Sequence, residues 1–146
     1  MEIRLPNQLE MKQIQRLTSQ AIYEGTMGET KPNLEKAKEI VASLLKKGCS
    51  YFVAVEDQQV LGWILTGISK DSFTEKSVGF IYELFVKEEF RGKGIAKELM
   101  LYAKHSLNEE GLTEIRLNVY EGNPAIRLYE KLGFQVRSVS MALKLE

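Results

Sequence analysis

Apolar residues recur along this chain at two periods, one helical and one strand-like, and their switching divides it into elements. After a short strand at 3–5, Ile14, Leu17 and Ala21 fall on one face of a helix expected over about 8–24, which Gly25 and Gly28 close. Asn33, following Pro32, is placed to cap a second helix in which Ala37, Ile40, Val41, Leu44 and Leu45 repeat at helical spacing until Gly48 stops it. Residues 50–56 and 60–68 are rich in β-branched and aromatic side chains, and the polar turn from Glu56 to Gln59 joins them as a hairpin. A polar loop precedes 79–86, which is apolar on both faces except for Glu83, as expected of a strand inside a covered sheet. Ala96, Leu99, Met100, Ala103 and Leu107 then form a helical stripe.

Ile115, Leu117 and Val119 alternate with Arg116 and Asn118, predicting a half-buried strand that Gly122 breaks. Asn123 and Pro124 open a short helix carrying Ala125, Leu128, Tyr129 and Leu132 on one face, closed by Gly133. Two last strands are expected at 134–137 and 139–145, the second alternating through Val139, Met141, Leu143 and Leu145. The order β-α-α-β-β-β-α-β-α-β-β is too mixed for a doubly wound parallel sheet. It predicts an α+β domain spanning 1–146, with helices on both faces of one sheet.

Composition narrows the class. At 146 residues, 44% hydrophobic and 27% charged, the chain suits one globular domain able to bury a core without disulfides or structural metal. Lysine plus arginine equals aspartate plus glutamate at 20 each, which leaves no overall positive field for nucleic acid. No apolar run approaches bilayer length and no export leader opens the sequence, so a membrane partner is not expected. With Cys49 alone, a reducing cytoplasm is the expected setting, and one histidine, His105, with no cluster around it argues against a metal site.

The chemistry concentrates in Arg91-Gly92-Lys93-Gly94-Ile95-Ala96, between the apolar strand and the next helix. Glycines there admit positive φ and close ligand approach, while the free N–H groups opening a helix attract an anion such as phosphate. A P-loop is excluded because Ile95 and Ala96 follow Gly94 where Lys and Ser or Thr are required. A dinucleotide fingerprint is excluded because Lys97 stands at its third glycine. A ligand-free tight turn remains the alternative.

The spacing Arg91-x-x-Gly94-x-Ala96 resembles the coenzyme A pyrophosphate loop of the GNAT acetyltransferases. The run from Asn123 to Phe134, with Ala125, Leu128, Tyr129, Gly133 and Phe134, is similar to that family's second signature, its alanine one position early. The resemblance implies the GNAT fold, with a mixed, mostly antiparallel sheet of about seven strands. It implies acetyl-CoA as cosubstrate, its pantetheine lying between the strands that end at Val86 and near Val119. Phe85 and Val86 would then offer main-chain groups to that arm, and the N–H groups from Arg91 through Gly92, Lys93, Gly94, Ile95 and Ala96 would hold the pyrophosphate. Asn123 would meet the pantetheine or serve as a helix cap.

Glu83 and Tyr129 are the candidate catalytic residues. A lone carboxylate in an apolar strand suggests a general base acting through water, or else a group that pairs with a lysine or a cationic substrate. Tyr129 resembles the family's general acid, and it also sits on an apolar stripe suited to packing. The implied function is N-acetyl transfer to a primary amine of a small molecule or peptide, by direct attack in a ternary complex. An acyl-CoA-binding module without turnover is the alternative. The resemblance places the acceptor against 22–34 and 69–78, which hold Tyr23, Glu24, Glu29, Asp71 and Glu75. It also implies a homodimer, with the last strand available to mediate it.

Overall fold

The computed structural model describes residues 1–146. Strand β1 (Glu2–Arg4) leads into α1 (Gln8–Gly25), which begins where Asn7 makes a capping box. The Asn7 side chain accepts from the Glu10 N–H, and the Glu10 carboxylate accepts from the Asn7 N–H, each at 2.9 Å. The paired charge of Arg4, at 2.6 Å, lets Glu10 be buried. Helix α2 (Leu34–Lys46) starts after Asn33, whose side chain accepts from the Lys36 N–H as the sequence predicts. Strands β2 (Ser50–Glu56) and β3 (Gln59–Lys70) meet at a two-residue turn in which Asp57 and Gln58 both take positive φ, as tight hairpins require. Then come β4 (Ser77–Val86), a 3-10 turn over Glu88–Phe90, α3 (Ile95–Glu109), β5 (Ile115–Leu117) and α4 (Ala125–Lys131).

One sheet runs in the order β1-β2-β3-β4-β5. Its first three pairings are antiparallel and the last, β4 with β5, is parallel. Alternation along the strands feeds two cores. Val53, Val55, Trp63, Leu65 and Phe85 pack under α1 and α2 with Ile14, Ala21 and Val41, while Ala54, Ile64, Ile81 and Val86 pack under α3 with Leu99, Met100 and Ala103. The α+β class and the two-sided helical cover are therefore as the sequence pattern predicts.

The strand count differs. The sheet has five strands, not about seven, because 134–137 and 139–145 enter no ladder. Val136, Val139, Met141, Leu143 and Leu145 are each at least 75% exposed. Alternation specifies which side of a strand is apolar, but a strand exists only when an edge pairs with it. The strand expected to reach Val119 likewise ends at Leu117, the last residue that β4 pairs with. No helix is long and apolar enough to cross a membrane.

Candidate active site

The parallel ladder joins only Gly79–Ile81 to Ile115–Leu117, yet β4 continues to Val86. Beyond Ile81 the edge of β4 that faces β5 has no ladder partner, so the two strands part as the resemblance implies. A bulge lies at that point. Leu65 opposes Glu83 and Thr66 opposes Ile81, which leaves Tyr82 as the extra residue and turns Glu83 towards the α1 side.

There the indole Nε1 of Trp63 donates to Glu83 Oε2 at 3.1 Å, while Glu83 Oε1 is hidden from solvent without a partner. Burial pushes the Glu83 carboxyl up to about 7, the Trp63 hydrogen bond opposing the shift. The Tyr51 hydroxyl is buried and unpartnered nearby, and its titration is raised chiefly by burial and secondarily by Glu83. Thr18 of α1 lies beside Tyr51 but its hydroxyl donates to Ile14 O at 2.8 Å. The floor is thus a carboxylate poised to hold or release a proton near neutrality, with one oxygen free. Trp63 and Tyr51 are functional candidates that the sequence pattern alone leaves among ordinary core aromatics, because only strand register brings them to Glu83.

At the end of β4 the glycine loop leads into α3. Gly92 and Gly94 take φ of +78° and +83°, and a Cβ at either would meet nothing within 4 Å, so backbone conformation is what requires glycine here. The Arg91 N–H donates to Glu88 O at 3.3 Å, and the first bond into α3 is from Glu98 N–H to Gly94 O. Between them the six N–H groups from Gly92 to Lys97 donate to no protein acceptor. Six free donors at a helix N-terminus make an anion site fit for a pyrophosphate. Ile95 is buried beneath the cradle and Ala96 half-buried.

Arg91 is directed otherwise than as a phosphate ligand. Its Nε donates to Val86 O at 2.7 Å, its Nη2 meets Glu24 Oε1 at 2.8 Å, and its guanidinium lies 5.4 Å from the centroid of the Phe85 ring, which stacks on Trp63. It ties the cradle to α1 and occupies the Val86 carbonyl. Lys93 lies over the Phe90 ring and Lys97 is exposed. Since the Arg91–Glu24 pair is partly exposed, Glu24→Gln is expected to lower the thermal midpoint by no more than about 1–3 °C, as for a pair of about 0.5 kcal/mol, read by circular dichroism.

Asn123 is a cap in this structure, its side-chain oxygen accepting from the Ala125 N–H at 2.9 Å, with its amide donors uncommitted. Tyr129 packs with the α3 core and edge-on to Phe134 at 5.9 Å, on the opposite side of the sheet from Trp63; burial raises its hydroxyl. On the acceptor side, the segment after α1 nears the one after β5, a Cβ at Gly122 lying 3.8 Å from Met27 Cε. Asp71 is not at this end. It sits in the β3–β4 turn, where Arg116 at 2.7 Å and the N–H groups of Phe73 and Thr74 hold its carboxyl well below the usual range. No group of three or more His, Cys, Asp or Glu side chains is arranged to hold a metal.

The model of the acetyltransferase (GNAT) family matches residues 11–134. An N-alpha-acetyltransferase of Saccharolobus solfataricus is 37% identical over 103 residues, covering 65% of this chain and 62% of that protein. An uncharacterized N-acetyltransferase of Bacillus subtilis is 28% identical over 116 residues, covering 75% and 73%. A predicted acetyltransferase of Clostridium acetobutylicum, solved with acetyl-CoA, superposes with a TM-score of 0.75 at 19% identity, covering 98% of this chain and 95% of that one.

Proposed function

The chain belongs to the GNAT acetyltransferase family, and from that premise we propose that it transfers the acetyl group of acetyl-CoA to a primary amine by direct attack in a ternary complex. The observation that carries this reading is Glu83, a buried carboxylate with one unpartnered oxygen at the point where β4 and β5 part.

Acetyl-CoA supplies an activated acyl carbon. The donors from Gly92 through Ala96 hold its pyrophosphate, Lys93 and Lys97 add charge outside, and the parted edges at Phe85, Val86 and Asn123 take the pantetheine. Glu83 removes a proton from the acceptor ammonium through water, since only the neutral amine has a lone pair to attack with. A main-chain N–H near Phe85 or Val86 steadies the negative charge gathering on the carbonyl oxygen. The C–N bond forms as the C–S bond breaks. Once the ammonium proton has passed from Glu83 to solvent, Glu83 takes the proton the new amide nitrogen sheds, and Tyr129 protonates the departing sulfur. Passage of that proton from Glu83 through water to the Tyr129 phenolate restores both groups and leaves an N-acetyl amine and free coenzyme A. The acceptor is a small-molecule or peptide amine entering beside Tyr23 and Met27, which are both partly exposed.

Calorimetric titration with acetyl-CoA, beside acetyl-pantetheine that lacks the pyrophosphate, tests the cradle. Binding to the first and its loss with the second is the expected result; equal or absent binding defeats the reading. Tyr129→Phe then distinguishes turnover from mere binding. It is expected to lower kcat about 10²–10⁴-fold with acetyl-CoA affinity nearly unchanged, as removal of a transition-state proton donor does. An unaltered kcat would leave Tyr129 as packing only.

A further inference from the structure

We infer that Tyr51 of β2 and Thr18 of α1 are positioning residues for Glu83, together holding one buried water against its Oε1 as Trp63 holds its Oε2. The effect of that water on rate rests on the reading of Glu83 as the base; its effect on the carboxyl does not.

The strand ladders place these groups. Tyr51 stands opposite Leu65 in the β2–β3 pairing, and Leu65 stands opposite Glu83 in the β3–β4 pairing. The three form one cross-strand row on the face under α1, with Tyr51 and Glu83 flanking the leucine about 10 Å apart at Cα, two strand spacings. A phenol is long enough to carry its hydroxyl over that leucine. The bulge completes the row, because without Tyr82 as the extra residue Glu83 would point to the α3 side.

Two polar atoms in this row are left unpaired by the protein. Tyr51 is 2% exposed, and neither its hydroxyl nor Glu83 Oε1 has a hydrogen-bond partner. Each buried group alone carries a desolvation cost, and a water joining them removes both. Such a water finds three partners here, the number that buried waters typically have. The Tyr51 O–H donates to it, and it donates to Glu83 Oε1 and to Thr18 Oγ1. The Thr18 hydroxyl, buried beside Tyr51, has its own proton committed to Ile14 O at 2.8 Å and keeps its lone pairs to accept. No cation takes this place. The groups facing the carboxyl are Trp63 from β3, Tyr51 from β2 with Cys49 beyond it, and Thr18 from α1, while the charged pair of Arg91 and Glu24 lies against Phe85 instead. One donor on each carboxylate oxygen steadies the ionised form and leaves lone pairs free to take a proton from the acceptor.

Trp63 fluorescence, followed from about pH 4 to about pH 9, reads the Glu83 carboxyl without any substrate. Coenzyme A release from acetyl-CoA is measured over the same range with a panel of small amines and unblocked peptides. Tyr51→Phe, which keeps the ring, is expected to raise the Glu83 midpoint by about one to two pH units, as loss of a donor to a charged group does. Thr18→Val should raise it by less. The Tyr51→Phe rate should fall about 10–100-fold on the acid limb of its profile and approach that of the unaltered protein at high pH, where the base is again free. A hydroxyl that only packs behaves otherwise: its removal leaves the midpoint in place and the protein equally or more stable. An unmoved midpoint in Tyr51→Phe overturns the inference, and so does the absence of a Glu83-dependent transition in the unaltered protein. If Tyr51→Phe does not fold, Thr18→Val decides by the same rule. A shifted midpoint without acetyl transfer at any pH defeats the acetyltransferase reading and leaves this link standing; transfer with an unmoved midpoint does the reverse.

Discussion

Glu83→Gln is expected to lower kcat/KM about 10²–10⁴-fold at pH 8 with acetyl-CoA binding little changed, the range typical of losing a general base. The same carboxyl sets the pH profile. Because burial raises it to about 7, the unaltered protein should gain activity as pH rises through that value, when the base becomes free. The sign for stability is opposite. A carboxyl raised from 4.5 binds its proton more tightly folded than unfolded, so its contribution is complete below about 4.5 and is lost as pH rises through about 7. Glu83→Gln should flatten that part of the thermal midpoint against pH. Trp63 is the only tryptophan and donates to this carboxylate, so its fluorescence reports the ionisation directly. A fluorescence transition near pH 7 that vanishes in Glu83→Gln is expected; one that persists in the variant means another group titrates there, and an unaltered rate removes Glu83 from catalysis.

What the sequence discloses of this site follows from the range over which each feature is determined. The cradle is legible because positive φ at Gly92 and Gly94 and the helix start at Ile95 are local matters of backbone freedom. Glu83 is conspicuous as the only charge in an apolar strand. Its partners are not, because Trp63 meets it only through the β3–β4 register, and the bulge at Tyr82 shifts that register by one. The Arg91 N–H reads as a pyrophosphate donor because it stands in the loop, yet it donates to Glu88 O. The direction of its side chain is set by Glu24 and Val86 O, groups on other elements, and they turn it inward. The resemblance puts Asp71 among the residues facing the acceptor, yet Arg116, forty-five positions later, occupies it. The last strands show the same limit. Their alternation is local, whereas a strand exists only by pairing, and no edge of the sheet pairs with them.

Gly94→Val is the substitution that isolates the cradle from the rest of the molecule. At φ +83° a β-branched residue is strained, about 1–2 kcal/mol at least, although a Cβ would meet no neighbour. The strain is relieved only by rewinding the start of α3, which turns the N–H groups of Gly92 to Lys97 away from a common point. Loss of two charge-assisted hydrogen bonds, at about 1.5–3 kcal/mol each, weakens acetyl-CoA binding about a hundredfold or more. Gly111→Val supplies the control. Gly111 follows the other end of the same helix with φ +86° and equally open surroundings, so it carries the same backbone penalty far from the anion site. Both variants are expected to lower the thermal midpoint by a similar few degrees. Only Gly94→Val should lose acetyl-CoA affinity in calorimetry. An equal loss in both would trace the effect to general destabilisation, and retained affinity in Gly94→Val would mean the pyrophosphate is held elsewhere.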